Sequence, residues 1–491
     1  MKRFSIIYIF ALLSAASFGQ QIILPENDAR QYLSDSVHII PKKPFRAIAE
    51  TFGTNMVVWG FNRFIMNEDF AKIGIRSFRQ NLKSSPVWDT NKFSTNLIAH
   101  PYHGSLYFNA ARSNGISFWG SIPFTLGGSL MWEYFMETEL PSINDLFATS
   151  FGGVELGEIT FRLSDLFIDN RSSGKERVGR EVLVLCISPI RGINRLITGD
   201  SWKKERTKGR SFDDVPVYFN LYAGPRFLAE QERSKDGEYS INVGFNLIYG
   251  DPFDESRNDY YSPYEWFIAN ASADLFSYQP LVTQVNAIGI LWGKNIRNKK
   301  KHSLTAGLFQ HFDYYDSQIK NKEKEKVAPY RISEAVAFGG GLLYFREATE
   351  NRPVAVRSST YLNAIILGGS LTDHYFNDER DYNLGSGYSV KVYTNLTYKE
   401  KISFDLQTEN YHIFTWKGDN PDGTGKIHQS VQGDVGNSRL IVFTTQLSYF
   451  SGKKWSISFK NRLFTRLTYY KYYKDTSYST SDKMLTFGYT L

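Results

Sequence analysis

The densest run of side chains able to do chemistry lies between His100 and Glu158. It opens with His100-Pro101-Tyr102-His103-Gly104-Ser105 and continues to Arg112. Gly128-Ser129, Trp132, Glu133 and Glu137 follow, then Ser142 and Asp145, then Glu155 and Glu158. Glu133 and Glu137 stand one helical turn apart, with Ser129 a turn earlier, so a helix puts all three on one face. Their neighbours Trp132, Phe135 and Met136 are apolar. A carboxylate in such a cleft calls for a cationic partner.

Three chemistries compete for these residues. In the first they form a buried polar network that locks a helical hairpin. Arg112 then neutralises Glu133 or Glu137, His100 and His103 bond backbone or Asp145, and Glu155 and Glu158 complete the set. The second takes His100, His103, Glu133 and Glu137 as ligands for zinc or iron. Pro101 breaks the regular helix that would align the two histidines, and no HExxH is present. The third makes His103, Ser129, Glu133 and Glu137 the catalytic set of a hydrolase acting on a lipid ester, with Ser105 as the other candidate nucleophile. No GxSxG elbow surrounds either serine. The reading favours the network, with no cofactor and no resident metal, and so a role other than enzymatic.

The elements that must hold these residues are apolar segments at helical spacing. They run Phe45–Phe64, Thr95–Ala111, Ile116–Glu139 and Ser142–Phe167, within an α-helical domain over residues 45–170. Ser142, after Pro141, has the position of an N-cap, with Asp145 in the first turn. Ile116–Trp132 carries no charge, yet Gly120, Pro123, Gly127 and Gly128 interrupt it and Glu133 follows at once. It reads as a buried helical hairpin rather than a membrane span. Residues 171–210 read as a basic, solvated linker, within which Val182–Ile187 is a short buried strand or helix end.

The blocks HPYxGxxYFxxAR, GSxxWEYxxE, PSxxDLxxT and GGxxLGE, spread over Lys92–Asp169, resemble the bacterial domain-of-unknown-function family DUF3943. The resemblance implies a Gram-negative envelope protein with a β-rich C-terminal part. It implies no reaction.

That β-rich part is legible by itself. Residues 211–491 hold roughly a dozen segments in which apolar and polar residues alternate, as in a transmembrane barrel. Val217, Phe219, Leu221 and Ala223 oppose Tyr218, Asn220, Tyr222 and Gly224; Ile402, Phe404 and Leu406 oppose Ser403, Asp405, Gln407 and Glu409. Leu485, Phe487, Tyr489 and Leu491 share one face of a last strand that reaches the final residue. Outward connections are expected at Asp316–Pro329, Thr372–Gly385, Lys417–Asp434 and Lys474–Ser481, and short turns at Lys399–Lys401 and Ser451–Lys454. Asp251–Ser262 is a long connection on the short-turn side. Asp405, Glu409, Lys460, Arg462 and Arg466 would face the lumen, as a filling charged network or as a solute-selective constriction. The fold class is α+β, mostly β: an antiparallel barrel of about twelve strands preceded by an α-helical domain, on the periplasmic side or partly inside the lumen.

The bulk numbers agree. The chain is 16% aromatic, with 31 Tyr and 37 Phe, yet its mean hydropathy is −0.35, the mixture that lipid-facing and lumen-facing alternation produces. Net charge is +7, but the basic residues are scattered through turns and linkers, which argues against nucleic acid. Met1-Lys2-Arg3, an apolar run to Leu13 and small residues before Gln20 form a secretory signal, with cleavage expected near Gly19 and an extended segment over residues 20–44. The lone Cys186 cannot form an internal disulfide. The chain is therefore expected in the outer membrane of a Gram-negative bacterium, as a plugged or gated channel, a transporter or a structural component of the envelope. The alternative is a lipid-modifying hydrolase sited in the helices. Expected partners are outer-membrane lipid and a small solute or lipid substrate, and the oligomeric state stays open.

Overall fold

Alternation at period two makes the strands, and hydrogen-bonded closure joins them. The computed structural model describes residues 38–230, 236–254, 259–299, 302–318, 329–421 and 431–491. The expected signal, most of the expected extended segment and parts of five connections lie outside the described residues. Twelve strands form a closed antiparallel barrel: β1 (Val217–Glu230), β2 (Glu238–Tyr249), β3 (Phe267–Leu275), β4 (Val282–Lys299), β5 (His302–Asp316), β6 (Arg331–Arg346), β7 (Val354–Leu371), β8 (Tyr382–Tyr398), β9 (Ile402–Phe414), β10 (Gly436–Ser451), β11 (Trp455–Tyr470) and β12 (Thr476–Thr490). Each pairs with its neighbour in sequence. β1 closes on β12, with Asn220 opposite Thr490 and Arg226 opposite Met484, which leaves no free edge.

The two faces part as the sequence pattern requires. Ile402, Phe404, Leu406, Trp455, Ile457, Phe459, Leu485 and Phe487 are exposed on the outer wall, while Ser403, Glu409, Arg462 and Arg466 are buried within. Lys399 and Glu400 both take positive φ (47° and 56°) in the three-residue turn, Lys399–Lys401, that joins β8 to β9. The connection expected at Lys474–Ser481 is shorter, because polar Thr476–Ser481 already pair with β11 as strand. The long connection after β2 folds inward: Phe253 stacks on Phe345 at 5.4 Å and Pro252 carbonyl accepts from Thr305. Tyr261 and Trp266 join Ile288, Ile290, Phe309 and Leu343 in a buried apolar cluster.

The helices are α1 (Pro44–Gly60), α2 (Ile75–Lys83), α3 (His100–Ser113), α4 (Phe118–Phe135), α5 (Ile143–Phe147), α6 (Gly153–Phe167), α7 (Gly174–Ile187) and α8 (Pro189–Thr198). Ser142 Oγ accepts from Asp145 N at 3.2 Å and caps α5. Among the described residues no helix is long and apolar enough to cross a membrane. Residues 171–210 are not a linker. They form α7 and α8, because charges that read as solvated find partners: Arg177 donates to Ser201 O and Asn170 Oδ1, and Arg195 pairs with Glu181 at 2.8 Å.

Two compact units result. The helical unit comprises the chain up to Ser84, Pro101–Leu140 and Thr149–Asp214; the barrel unit takes Ser85–His100, Pro141–Ala148 and everything from Val215. Part of the expected helical domain therefore belongs with the barrel. Phe93 sits between Tyr314 (5.0 Å) and Tyr382 (5.1 Å), Asn96 donates to Tyr382 Oη at 2.8 Å, and Arg380 reaches Asp89 O at 2.7 Å. Tyr314 and Tyr382 alternate with lumen-facing Tyr315 and Asn383, so this segment covers the outer wall of β5–β8 at the end that carries the long connections. Gly369 permits the approach, since a Cβ there would lie 2.5 Å from Leu97.

Candidate functional site

The helical unit holds its polar residues in bonded groups. α3 and α4 face each other at His103, whose Nε2 lies 2.8 Å from Tyr107 Oη and whose ring meets Trp132 edge-on at 4.9 Å. Tyr107 also donates to Asn55 of α1. Burial, and then the nearby Glu133 carboxylate, push the Tyr107 hydroxyl well up, so it stays protonated and donates. Asn81 of α2 donates to the Glu133 and Glu137 carbonyls at 3.3 and 3.2 Å, and Trp132 Nε1 reaches the Glu137 carboxylate at 3.2 Å.

Arg112 does not neutralise Glu133 or Glu137. Its guanidinium grips Glu158 of α6 at 2.8 and 3.2 Å, and Arg162 binds the same carboxylate at 2.8 Å. The helix places Glu158 and Arg162 one turn apart, which fixes the second contact locally; the first joins elements 46 residues distant. Glu155 is fully buried on the same helix.

The four residues considered as a catalytic set all fall in the helical unit, and among the described residues neither Ser129 nor Ser105 has a histidine as its hydrogen-bond partner. Ser129 is 1% exposed and its Oγ makes no hydrogen bond among the described residues. Ser105 donates to Tyr102 O. His100 lies in the other unit, its Nε2 3.6 Å from Asp145. Burial, against the pull of Asp89, lowers His100 to about 4, so a neutral imidazole faces that carboxylate.

The lumen is the second polar site. Asp482 is shared by two arginines: Arg226 Nε at 2.9 Å and Arg462 Nη2 at 2.7 Å, while Arg226 also binds Asp274. Arg226 Nη2 donates to Tyr330 Oη at 3.1 Å, and the Tyr330 ring stacks on Phe464 at 3.8 Å. Tyr330 precedes β6 and Phe464 belongs to β11, so these side chains meet from opposite walls. A second group centres on Lys391, which binds Asp313 and, at 2.6 Å, Glu334. Tyr411 bridges Asp313 and Glu409, and Tyr315 and Tyr393 donate to Glu409 at 2.9 and 2.8 Å.

The five lumen charges named from the sequence all sit on the inward parity of their strands, but they pair elsewhere than with one another. Asp405 accepts from Asn395, Lys460 lies over the Tyr222 ring, and Arg466 holds Asp373 at 2.8 and 2.9 Å. Burial resists the charge on Asp373, yet Arg466 holds it below the ordinary carboxylate range. Sequence reading missed Arg226, Asp274, Asp313, Glu334, Lys391 and Asp482. The signal was available: Arg226 shares the parity of Asn220 and Tyr222, and Asp482 is opposite in parity to Leu485 and Phe487.

An antiparallel twelve-strand barrel, apolar outside and polar within, has the build of an outer-membrane barrel. Residues 85–190 match the model of the domain of unknown function DUF3943, a stretch that supplies residues to both units. Among solved structures, the chain is similar to the NanC porin at 9% identity and a TM-score of 0.27, over 56% of this chain and 100% of that one. It is similar to the Pseudomonas putida toluene transporter TodX at 7% identity and a TM-score of 0.22, over 57% of this chain and 90% of that one. For the Acinetobacter baumannii outer membrane channel DcaP the figures are 9%, 0.23, 57% and 97%. Likenesses this weak carry no argument about activity. No curated protein matches the chain.

Proposed function

We propose that the protein is an outer-membrane barrel shut by its own lumen, a gated channel for a small solute. The observation that supports this is the bar of side chains between opposite walls: Arg226, Asp482 and Arg462 joined to Tyr330 and Phe464. Membrane placement is supported by the outer belt of exposed Leu, Ile, Phe and Trp. A charged bar in a low-dielectric lumen holds its geometry because every member is paired; stripping one partner leaves another charge uncompensated, at about 3–5 kcal/mol. The tie between Arg466 and Asp373 fastens the connection after β7 to β11.

Planar-bilayer conductance of the full-length protein tests the reading. The wild type should pass little current, and Arg462→Ala with Phe464→Ala should open a steady conductance while the barrel stays heat-modifiable on a gel. A wild type that conducts steadily overturns the closed lumen. Silence in wild type and variants alike, with folded barrels, makes the protein a structural component of the envelope.

A further inference from the structure

Two helices of the helical unit, α1 and α4, are amphipathic the wrong way round for water. A helix on a soluble protein buries its apolar stripe and exposes its polar one. α1 hides Ala47, Thr51, Thr54 and Asn55, and leaves Phe45 86%, Val57 72% and Phe52 53% exposed. α4 hides Ser121, Thr125, Ser129 and Glu133, a polar row at one-turn spacing, while Trp119 is 57% exposed and Leu126 and Leu130 also face out. The polar seam between them is bonded, since Asn55 donates to Gly128 O at 3.0 Å. Ile116–Trp132 is therefore only partly buried: its polar row is inside together with Phe118 and Trp132, while Trp119, Leu126 and Leu130 are open.

The apolar surface continues. Phe64 and Ile65 stand out from the π-helical turn Phe61–Met66, and Ile75 and Leu82 from α2. An apolar cavity of about 400 Å³ lies among Phe52, Met56, Trp59, Phe78, Met131 and Phe135. Exposed apolar surface on this scale marks an interaction site. Charge names the partner. Residues 38–83 carry eight basic side chains against three acidic ones, and Lys42, Lys43, Lys72, Arg76, Arg79 and Lys83 are exposed around the apolar face.

We propose that α1, the following π-helical turn, α2 and α4 dock on an anionic phospholipid bilayer, with the apolar face among acyl chains and the basic rim on headgroup phosphates. Among the described residues no helix is long and apolar enough to cross, so the proposed contact is interfacial, about 5–10 Å deep. The inference does not rest on the channel reading, because a barrel that never conducts would present the same helical face.

The test uses the full-length protein with Cys186→Ser and one added cysteine, Val57→Cys, Phe64→Cys or, as the exposed control, Lys175→Cys, each carrying a fluorophore. Proteins are reconstituted in phosphatidylcholine–phosphatidylglycerol vesicles, and heat-modifiability on a gel confirms the fold. Nitroxide-labelled lipid should quench the labels at 57 and 64 several-fold more than the label at 175, and aqueous iodide should do the reverse. Arg76→Glu with Arg79→Glu and Lys83→Glu should weaken the lipid quenching. Iodide quenching at 57 and 64 equal to that at 175 overturns the proposal. Protection from both quenchers also overturns it: with cross-linking between protomers the face is covered by a second copy, and without it by residues 20–37 of the same chain.

Discussion

The barrel and the helical unit each hold a buried carboxylate shared by two arginines, Asp482 by Arg226 and Arg462, Glu158 by Arg112 and Arg162. The settings differ. In the barrel the three residues sit on β1, β11 and β12, each fixed by ladder hydrogen bonds, and Arg226 also binds Asp274. In the helical unit one pair is a single helical turn, and the arginines also lie over rings: Arg112 4.9 Å from Phe161 and Arg162 4.0 Å from Phe212. The barrel wall and helices α1 and α4 turn rows of polar residues inward and apolar ones outward, one with a period of two and the other with a period of 3.6. The same inversion can thus be written in either secondary structure. A rigid sheet leaves a stranded charge no escape, while a helix lets a long side chain swing.

The largest effect should come from breaking the barrel's shared carboxylate. Asp482→Asn strips Arg462 and half of Arg226 of their carboxylate partner in the lumen, and should cost about 3–5 kcal/mol. A lower urea midpoint and a lower temperature of gel-shift conversion would register it. Glu158→Gln should cost less, about 2–3 kcal/mol, because Arg112 keeps the Ile116 carbonyl and both guanidiniums keep their rings. Equal losses would erase the distinction between sheet and helix.

Acid should separate the units next. His100 is lowered to about 4, whereas an ordinary histidine titrates at 6.5, so the unfolded chain takes its proton first as pH falls. Stability from the neutral imidazole is complete above about 6.5 and drains away toward pH 4. His100→Gln should flatten that part of the profile, read as urea midpoints at pH 7 and pH 5. The change should appear in the barrel unit, to which His100 and Asp145 belong. A slope unchanged by the substitution would assign the acid sensitivity to another group.

What could be read from the sequence divides along the same line. The strands were legible because alternation is enforced at every residue: Ile402 out, Ser403 in, and so on to Leu485 and Phe487. The partner of Arg112 was not, because helical spacing says which residues share a face and nothing about which helix that face meets. Residues 171–210 misled because exposed and buried arginines look alike until Glu181 and the carbonyls of Asp169 and Ser201 are placed. The inverted face of α4 was also visible as Ser121, Thr125, Ser129 and Glu133. Its reading failed on the assumption that apolar residues must be the ones inside.

The smallest expected effect is at Ser129, and it sharpens the comparison most. Its hydroxyl is buried on the polar seam of α4 and makes no hydrogen bond among the described residues. An unpaired buried hydroxyl costs stability, so Ser129→Ala should leave the unfolding free energy unchanged or raise it by up to about 1 kcal/mol, read from urea unfolding. Asp482 and Ser129 are both buried polar groups, yet removing one should destabilise the fold and removing the other should not. The difference is whether partners are present. A nucleophile would behave otherwise: loss of an ester-cleaving activity in Ser129→Ala, with the fold intact, would turn this unpaired hydroxyl from a packing cost into the reactive atom of a lipid hydrolase.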